Sequence, residues 1–398
     1  MAATAFLKAS RLRAGLKRHP WVYPNSIERI EGTHENGDAV KVRAPDGKFL
    51  GQALINQGSR LALRLVSFDK DADLDDPGFW TQRVRDAVAL REQVLRLPAR
   101  TDAYRVVHSE GDGLPGLIVD RYADVLVYSV SCLGMHRRME PVLDALVEAY
   151  GPRVVIEQGV SKGLRGSEGL PEGRGVVRGE LAEPQVRCTV DGVRFDVPLG
   201  DGQKTGLFLD QRENVRRVAE LAQGRRVLDA CCYLGAFSIA AAQAGAASVR
   251  AFDQSADAVA GATRHAAENG VGEQIEVVQG ELFGQLNGLI KDEARFDLIV
   301  LDPPKFAASK KQADKARRGY LDCNRLALKL LEPGGLLFTC SCSHHMPADE
   351  LELVLRQAAD RSKVDLRVLG TFGPGLDHPV DVHCPEGRYL KGFLLQRR

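Results

Sequence analysis

The sequence predicts an α/β protein: a carboxyl-terminal parallel sheet with helices on both faces, preceded by a small β-rich domain and a central α+β domain. Three observations carry this. After residue 210, apolar strand-like runs alternate with amphipathic helical ones, in "RRVLDACC", "SIAAAQAGA", "SVRAFD", "ADAVAGATRHAAENG", "IEVVQGE", "FDLIVLDPP", "ADKARRGYLDCNRLALKLL" and "GGLLFTCSCS", and such alternation builds βαβ units. From residue 1 to about 70, short apolar runs alternate with turn residues. The chain of 398 residues also exceeds what one hydrophobic core usually serves.

In the first domain, 1–72, Pro45-Asp46-Gly47 sits between two strand-like runs and signals a hairpin. Its first 27 residues hold Lys8, Arg11, Arg13, Lys17 and Arg18 without an acid. This composition occurs in transit peptides, but the run continues into the apolar "HPWVYPNSI" and reads better as a basic binding surface. The acidic, turn-prone "DADLDDPGFW" sets a boundary near Asp71 to Asp76, ahead of a helical "TQRVRDAVALREQVLRL". The second domain, 77–180, reads as strand, tight loop, strand and strand in "YRVVHSEGDGLPGLIVDRYADVLVYSV". A helix follows in "MEPVLDALVEAY", then a flexible basic loop in "SKGLRGSEGLPEGRG". The third, 181–398, opens with a hairpin turning at Asp191-Gly192.

Composition excludes several classes. No stretch approaches the ~20 apolar residues of a membrane span, so no membrane partner is expected. A net charge of +1 means that any nucleic-acid surface is local. Eight cysteines over so long a chain, with no apolar signal-peptide core, read as reduced thiols of a cytoplasmic protein.

In "VLDACCYLGAFS", Asp229 ends an apolar strand and a turn with Gly235 leads into a helix. A dinucleotide site needs several glycines here, so that backbone N–H groups can approach a pyrophosphate. A single glycine suits a ligand without phosphates. Asp253, ending the next strand, can take both hydroxyls of a ribose, and Glu281, ending the third, can accept from an adenine amine. S-adenosylmethionine meets that description, with Cys231, Tyr233 and Phe237 completing the expected cofactor loop.

Asp302 ends a further strand in "FDLIVLDPPKFA", where Pro303 and Pro304 stiffen the loop carrying Lys305 and Phe306. The following strand ends in "FTCSCSHHM", with Cys340 and Cys342 on the same side. A zinc site could use these thiols with His344 or His345, but structural zinc usually takes a second spaced pair from elsewhere, so no metal is expected. Cys340 suits a buried small hydrophobe. Cys342, nearer the strand's carboxyl end, falls where a nucleophile would serve. Carbon 5 of cytosine or uracil is a poor nucleophile, but thiolate addition at carbon 6 moves electron density onto it. An acid such as Asp302 would hydrogen-bond the ring, and the base must be flipped out or single-stranded.

These residues resemble the bacterial large-subunit ribosomal RNA methyltransferases that form 5-methylcytosine in 23S rRNA, and the amino-terminal module resembles a PUA RNA-binding domain. The similarity covers nearly the whole chain. It rests on "EGDGLPGLIVDRY" (110–122), "GQKTGLFLDQREN" (202–214), "DACCYLGAFS" (229–238), "LDPPKF" (301–306), "RRGYLDCN" (317–324), "SCS" (341–343) and "DHPV…PEGRYLKGF" (377–393).

The resemblance implies a Rossmann-like class I methyltransferase domain, with Cys342 as nucleophile and Asp302 in contact with the base. It implies that Gln203, Lys204, Thr205, Phe208, Asp210, Gln211 and Arg212 border cofactor and substrate, and that Asp253 and Glu281 hold the adenosine. The expected cofactor set is Lys204, Thr205, Phe208, Asp210, Arg212, Asp229, Cys231, Tyr233, Gly235, Phe237, Asp253, Glu281 and Asp302. The substrate set is Gln203, Gln211, Pro303, Lys305, Phe306 and His378. Where a bulkier apolar residue is expected, position 340 holds a second thiol that could share the nucleophilic role or merely pack. The partner implied is large-subunit rRNA, and a homodimer is left open. Two rivals stand beside this reading: methylation of a nucleobase nitrogen, which needs no thiol, and a non-catalytic RNA-binding assembly factor.

Overall fold

The computed structural model describes residues 3–13, 15–173, 175–199, 206–306 and 313–398. The chain packs as two compact units. One comprises Met1–Cys188, Val197–Gly206 and Leu376–Gly387; the other comprises Thr189–Asp196, Leu207–Gly375 and Arg388–Arg398. Residues 1–72 and 77–180, expected as separate domains, thus share a unit, although each builds its own sheet. The expected third domain also gives up three segments to that unit, 181–188, Val197–Gly206 and Leu376–Gly387.

In the first unit a six-stranded sheet is ordered β2-β6-β5-β4-β1-β3. Its strands are β1 (Thr4–Leu7), β2 (Trp21–Val22), β3 (Ile27–Glu31), β4 (Ala39–Arg43), β5 (Phe49–Ile55) and β6 (Leu63–Ser67), and a short helix α1 (Ala9–Arg13) follows β1. Ala5, Leu7, Val42, Ile55 and Leu63 form its core. Gly47, at φ +84°, turns the β4–β5 hairpin where Pro45-Asp46-Gly47 predicted it. Of the basic amino-terminal side chains, Lys8, Arg13, Lys17 and Arg18 are exposed. Arg11 is turned inward, donating through Nη2 to the His19 carbonyl at 2.8 Å.

A five-stranded sheet, ordered β11-β10-β9-β8-β7, completes this unit. It contains β7 (Ala103–His108), β8 (Leu117–Tyr122), β9 (Val125–Val130), β10 (Val154–Glu157) and β11 (Gly175–Gly179), with helices α2 (Pro77–Ala89), α3 (Leu133–His136), α4 (Met139–Tyr150) and α5 (Lys162–Glu168). Asp76 caps α2, accepting from the Gly78 N–H at 2.9 Å. The core gathers Trp80, Tyr104, Val119 and Leu146.

"SKGLRG", expected as a flexible loop, is helical in α5. Ser161 caps its start by accepting from Leu164 N. At its end, buried Glu168 accepts from Ser59 Oγ, from Asn56 Nδ2 at 3.3 Å and from Arg64 Nη2 at 3.5 Å. No local periodicity could announce partners about a hundred residues away.

The hairpin β12 (Gln185–Val190) and β13 (Val193–Pro198) turns at Asp191 (φ +45°) and Gly192 (φ +89°), the left-handed pair that two-residue hairpins require. The second unit carries a seven-stranded sheet ordered β16-β15-β14-β17-β18-β20-β19. Its members are β14 (Arg226–Ala230), β15 (Ser248–Asp253), β16 (Ile275–Gln279), β17 (Phe296–Leu301), β18 (Leu331–Ser341), β19 (Leu366–Phe372) and β20 (Lys391–Arg397). The first five run parallel, as the alternation predicts; β20 inserts antiparallel between β18 and β19.

Helices α6 (Arg212–Ala219), α7 (Ala236–Gln243) and α8 (Ala256–Glu268) pack in series, as do α9 (Leu282–Lys291), α10 (Ala313–Leu330) and α11 (Ala348–Ser362). Strands covered on both faces read as nearly continuous apolar runs, and Leu228, Phe252, Ile299 and Leu337 meet Leu326 and Val354 in the core. No described helix is long and apolar enough to cross a membrane.

Replacing Glu168 with alanine removes one of the two carboxylates on Arg64, the other being Glu110. Arg64 keeps one carboxylate, but the buried Ser59 hydroxyl loses its acceptor, so urea denaturation should show a loss of about 2 kcal/mol. An unchanged midpoint would mean that the α5 contact contributes nothing to stability.

Candidate active site

The five parallel strands end at one edge of the sheet, and their carboxyl-terminal loops carry the chemistry. After β14 the chain winds through left-handed residues, Cys231 at φ +65°, Tyr233 at +49° and Gly235 at +84°. Gly235 opens α7, and a Cβ there would stand 3.2 Å from that of Ala262, so the turn needs glycine for both its conformation and its packing. Asp229, 1% exposed, lies beneath this turn and accepts from the Ser238 N–H at 3.0 Å and hydroxyl at 2.6 Å. It therefore supports the loop from inside rather than facing a ligand. Burial pushes its carboxyl up to about 7, the Ser238 bonds opposing and the charges of Asp302 and Asp253 adding to the rise.

Asp253 ends β15 half-buried. Its Oδ2 accepts from Tyr233 N at 3.0 Å and its Oδ1 from Ser255 N at 3.0 Å, which ties the first loop to the second strand end. A carboxylate offers about four acceptor sites, so two backbone donors leave capacity for ribose hydroxyls. Glu281 stands exposed at the start of α9, and the exposed Phe208 ring meets Tyr233 edge-on at 5.1 Å. An acid-lined edge with a one-glycine turn fits a cationic nucleoside without phosphates, which S-adenosylmethionine is.

Beyond β17 come Asp302, half-buried; Pro303, buried; Lys305, exposed; and Phe306, whose ring meets Tyr320 edge-on at 4.8 Å. The register of β17 with β18 pairs Leu301 with Thr339, which brings the next residue of each strand together. Cys340 Sγ donates to Asp302 Oδ1 at 3.0 Å. Gln211 Nε2 donates to Asp302 Oδ2 at 2.9 Å and to Cys340 Sγ at 3.2 Å. Burial, and then the charge of Asp302, hold the Cys340 thiol well above its ordinary pKa.

Cys342 lies just past the last β18 residue and is half-buried. Burial raises its thiol, as do the charges of Asp302 and Asp210, while Lys305 pulls it down. Ser343, next along, receives Lys391 Nζ on its carbonyl at 2.6 Å, and the same ammonium donates to Tyr389 O at 2.8 Å. Burial lowers Lys391 to about 8, against the pull of Cys342. Tyr389 donates its hydroxyl to Asp210 at 2.7 Å, and Tyr320 is bonded to Ser341 at 2.8 Å.

Other expected residues take different places. Arg212, expected beside the cofactor, is 2% exposed with Nη1 3.9 Å from Asp191, since a buried guanidinium needs a carboxylate. Phe237 packs on Phe338, ring centroids 5.6 Å apart. His378, expected against the substrate, belongs to the first unit. There it is 3% exposed, with Nδ1 3.1 Å from Asp377 and its ring 5.0 Å from that of His108. Gln203, Lys204 and Thr205 lie outside the described residues.

The zinc candidates around Cys342 form no ligand cluster among the described residues; His19, Cys384 and Glu386, in the first unit, do have ligand atoms within 4.8 Å of one another. There Trp21 N donates to His19 Nδ1 at 3.1 Å, so Nε2 carries the proton and donates to Glu386 at 3.2 Å.

The sequence reading missed Asn214, Tyr320 and Tyr389. The spacing of Gln211 and Asn214, three apart at a helix start, was the available signal for the first.

The sequence model of the S-adenosylmethionine-dependent methyltransferases matches residues 177–369, and that of the PUA-like domain matches residues 6–68. The chain is 37% identical over 389 residues to the ribosomal RNA large subunit methyltransferase I of Shewanella amazonensis, covering 98% of each. To the protein of that name from Aeromonas hydrophila it is 37% identical over 402 residues, covering 100% of each. A crystal structure described as a methyltransferase complexed with SAH shares the fold over 100% of both chains, with TM-score 0.85 at 20% identity. A structure from Streptococcus mutans described as a SAM-dependent methyltransferase shares it with TM-score 0.82 at 21% identity.

Fold and site together define an S-adenosylmethionine-dependent methyltransferase, preceded by a PUA-like domain. With this identity along nearly its whole length, the chain belongs to the ribosomal RNA large subunit methyltransferase I family.

Two outcomes follow. Asp253→Ala should weaken S-adenosylmethionine binding about tenfold or more in calorimetry; unchanged affinity would remove Asp253 from the site. An acid whose folded pKa is raised binds an extra proton in the folded state, so its contribution to stability falls as pH rises from about 4 to about 7. Asp229→Asn, which keeps an acceptor for Ser238, should lose that slope, gaining on the order of 2–4 kcal/mol over wild type at pH 8 relative to pH 4. Parallel pH profiles would contradict it.

Proposed function

We propose that this protein methylates carbon 5 of a cytosine in 23S rRNA through a transient bond between Cys342 and carbon 6. The observation that carries the reading is the contrast between two thiols. Cys340 is fully buried and engaged by Asp302 and Gln211, whereas Cys342 is half-buried at the strand end, within the influence of Asp302 and Lys305. The names of the relatives, ribosomal RNA large subunit methyltransferase I, support the substrate class.

S-adenosylmethionine, when bound, supplies an electrophilic methyl group. The Cys342 thiol gives up its proton and Sγ bonds to carbon 6 of the base, so the ring's π pair becomes available at carbon 5. Asp302 accepts from the exocyclic amine and so orients the ring, and Lys305 favours the thiolate. Carbon 5 takes the methyl as the methyl–sulfonium bond breaks and leaves its pair on that sulfur; a base then takes the carbon 5 proton, and the C–H pair re-forms the ring double bond as Sγ departs with its own pair. Pro303 and Pro304 hold this loop stiff, and Phe306 offers a flat apolar face. The exposed Lys8, Arg13, Lys17 and Arg18 suit phosphate contact.

The test is 23S rRNA carrying 5-fluorocytidine. Fluorine cannot leave as a proton does, so wild type should be trapped as a covalent adduct that maps to Cys342. Cys342→Ala should form none and lose methyl transfer by at least about a thousandfold. Full transfer by Cys342→Ala would favour nitrogen methylation instead. Because the resting thiol is raised, the single-turnover rate should climb with pH, and Lys305→Met should move that climb to higher pH; coincident profiles would separate Lys305 from the thiol.

A further inference from the structure

Asp302, Gln211 and Cys340 close a ring of hydrogen bonds in which every direction is determined. Gln211 Nε2 has two hydrogens. One goes to Asp302 Oδ2 at 2.9 Å and the other to Cys340 Sγ at 3.2 Å. Cys340 has a single S–H; Asp302 Oδ1 accepts it at 3.0 Å, closer than its other acceptor, the Leu301 carbonyl at 3.9 Å. The carboxamide cannot turn over to reverse this order, because Asn214 Nδ2 donates to Gln211 Oε1 at 2.7 Å and so identifies that atom as the oxygen. Asn214 is itself anchored by donating to the Gly373 carbonyl at 3.1 Å.

Gln211, Asn214 and Cys340 are all buried, so water does not compete for these bonds. Each carboxylate oxygen of Asp302 thus receives a fixed donor, which sets the plane of the group and leaves acceptance as its role. Any further partner at this carboxylate has to be a donor, as the exocyclic amine of cytosine is and the corresponding carbonyl of uracil is not.

We propose that Cys340 is a positioning residue: with Gln211 and Asn214 it fixes the Asp302 carboxylate as an acceptor toward the base, and it is not a second nucleophile. This rests on the reading of Cys342 and Asp302 given above. It assigns a role to the thiol that the sequence left between sharing the attack and packing. Serine at 340 retains a donor of nearly the same reach, whereas alanine retains none and leaves Oδ1 without its thiol.

The test compares Cys340→Ser, Cys340→Ala and Gln211→Ala in single-turnover methylation of unmodified 23S rRNA transcript. S-adenosylmethionine affinity is measured by calorimetry to establish that each variant is folded. Cys340→Ser is expected within about threefold of wild type. Cys340→Ala and Gln211→Ala are expected to fall tenfold or more in rate, with little change in cofactor affinity and with relaxed preference for cytidine over uridine at the target. Cys340→Ala should still form the 5-fluorocytidine adduct at Cys342.

A Cys340→Ala enzyme at full rate, or a serine variant no better than alanine, would overturn the positioning role. An adduct lost in Cys340→Ala but kept in Cys342→Ala would make Cys340 the nucleophile. Absence of any adduct in wild type, with methylation intact in Cys342→Ala, would instead defeat the carbon 5 reading. The serine-against-alanine comparison separates the two failures.

Discussion

Parallel pairing of β17 with β18, in the register that sets Leu301 beside Thr339, is the constraint on which the active site depends. Side chains alternate along a strand, so slipping this register by one residue would send Cys340 to the opposite face of the sheet. In the register observed, Asp302 and Cys340 meet within hydrogen-bonding distance and Gln211 closes on both. The antiparallel strand β20 adds a second register: it sets Lys391 beside Ser341, from where its ammonium reaches the Ser343 carbonyl and holds the turn that carries Cys342. Two ladders of backbone hydrogen bonds thereby position a carboxylate, two thiols and an ammonium that chain connectivity alone would not assemble.

The same strand ends concentrate negative charge. Asp229, Asp253 and Asp302 lie close enough that the latter two raise the carboxyl of the first, and burial raises it further. Desolvated acids drawn together in this way destabilise the protein by themselves. A sulfonium-bearing ligand offsets that cost, whereas a dinucleotide would aggravate it, which agrees with a single glycine in the turn after β14. The thiols experience the same field. It helps keep Cys340 protonated as a donor, and it opposes ionisation of Cys342, where the nearby Lys305 counters it.

Much of this was legible before the structure. The parallel strands, the hairpin at Asp191-Gly192, the turn at Gly47, the helix through "TQRVRDAVALREQVLRL" and the acids at the ends of β14, β15 and β17 all follow from patterns within a few residues. Charged residues were read less well. Arg11, Arg212 and His378 look like surface or ligand-binding groups in the sequence, yet each is buried with a partner: a carbonyl for Arg11, Asp191 for Arg212, Asp377 for His378. Nothing in the neighbourhood of an arginine tells whether a carboxylate brought up by another loop will draw it inward. "SKGLRG" shows the same limit, since its helix ends on Glu168, whose partners are Asn56, Ser59 and Arg64.

The sequence by itself determined which elements form, how they alternate and which residue types end the strands, because periodicity, turn chemistry and strand-end acids are local properties. It also marked Cys342 as the thiol worth testing. Only the tertiary structure decided what each thiol faces: Cys340 meets Asp302 and Gln211 within the sheet, while Cys342 lies one step past the strand's end. Strand register and the approach of α6 set those neighbours, and both are non-local, fixed by how whole elements bury their apolar faces rather than by the residues beside each cysteine.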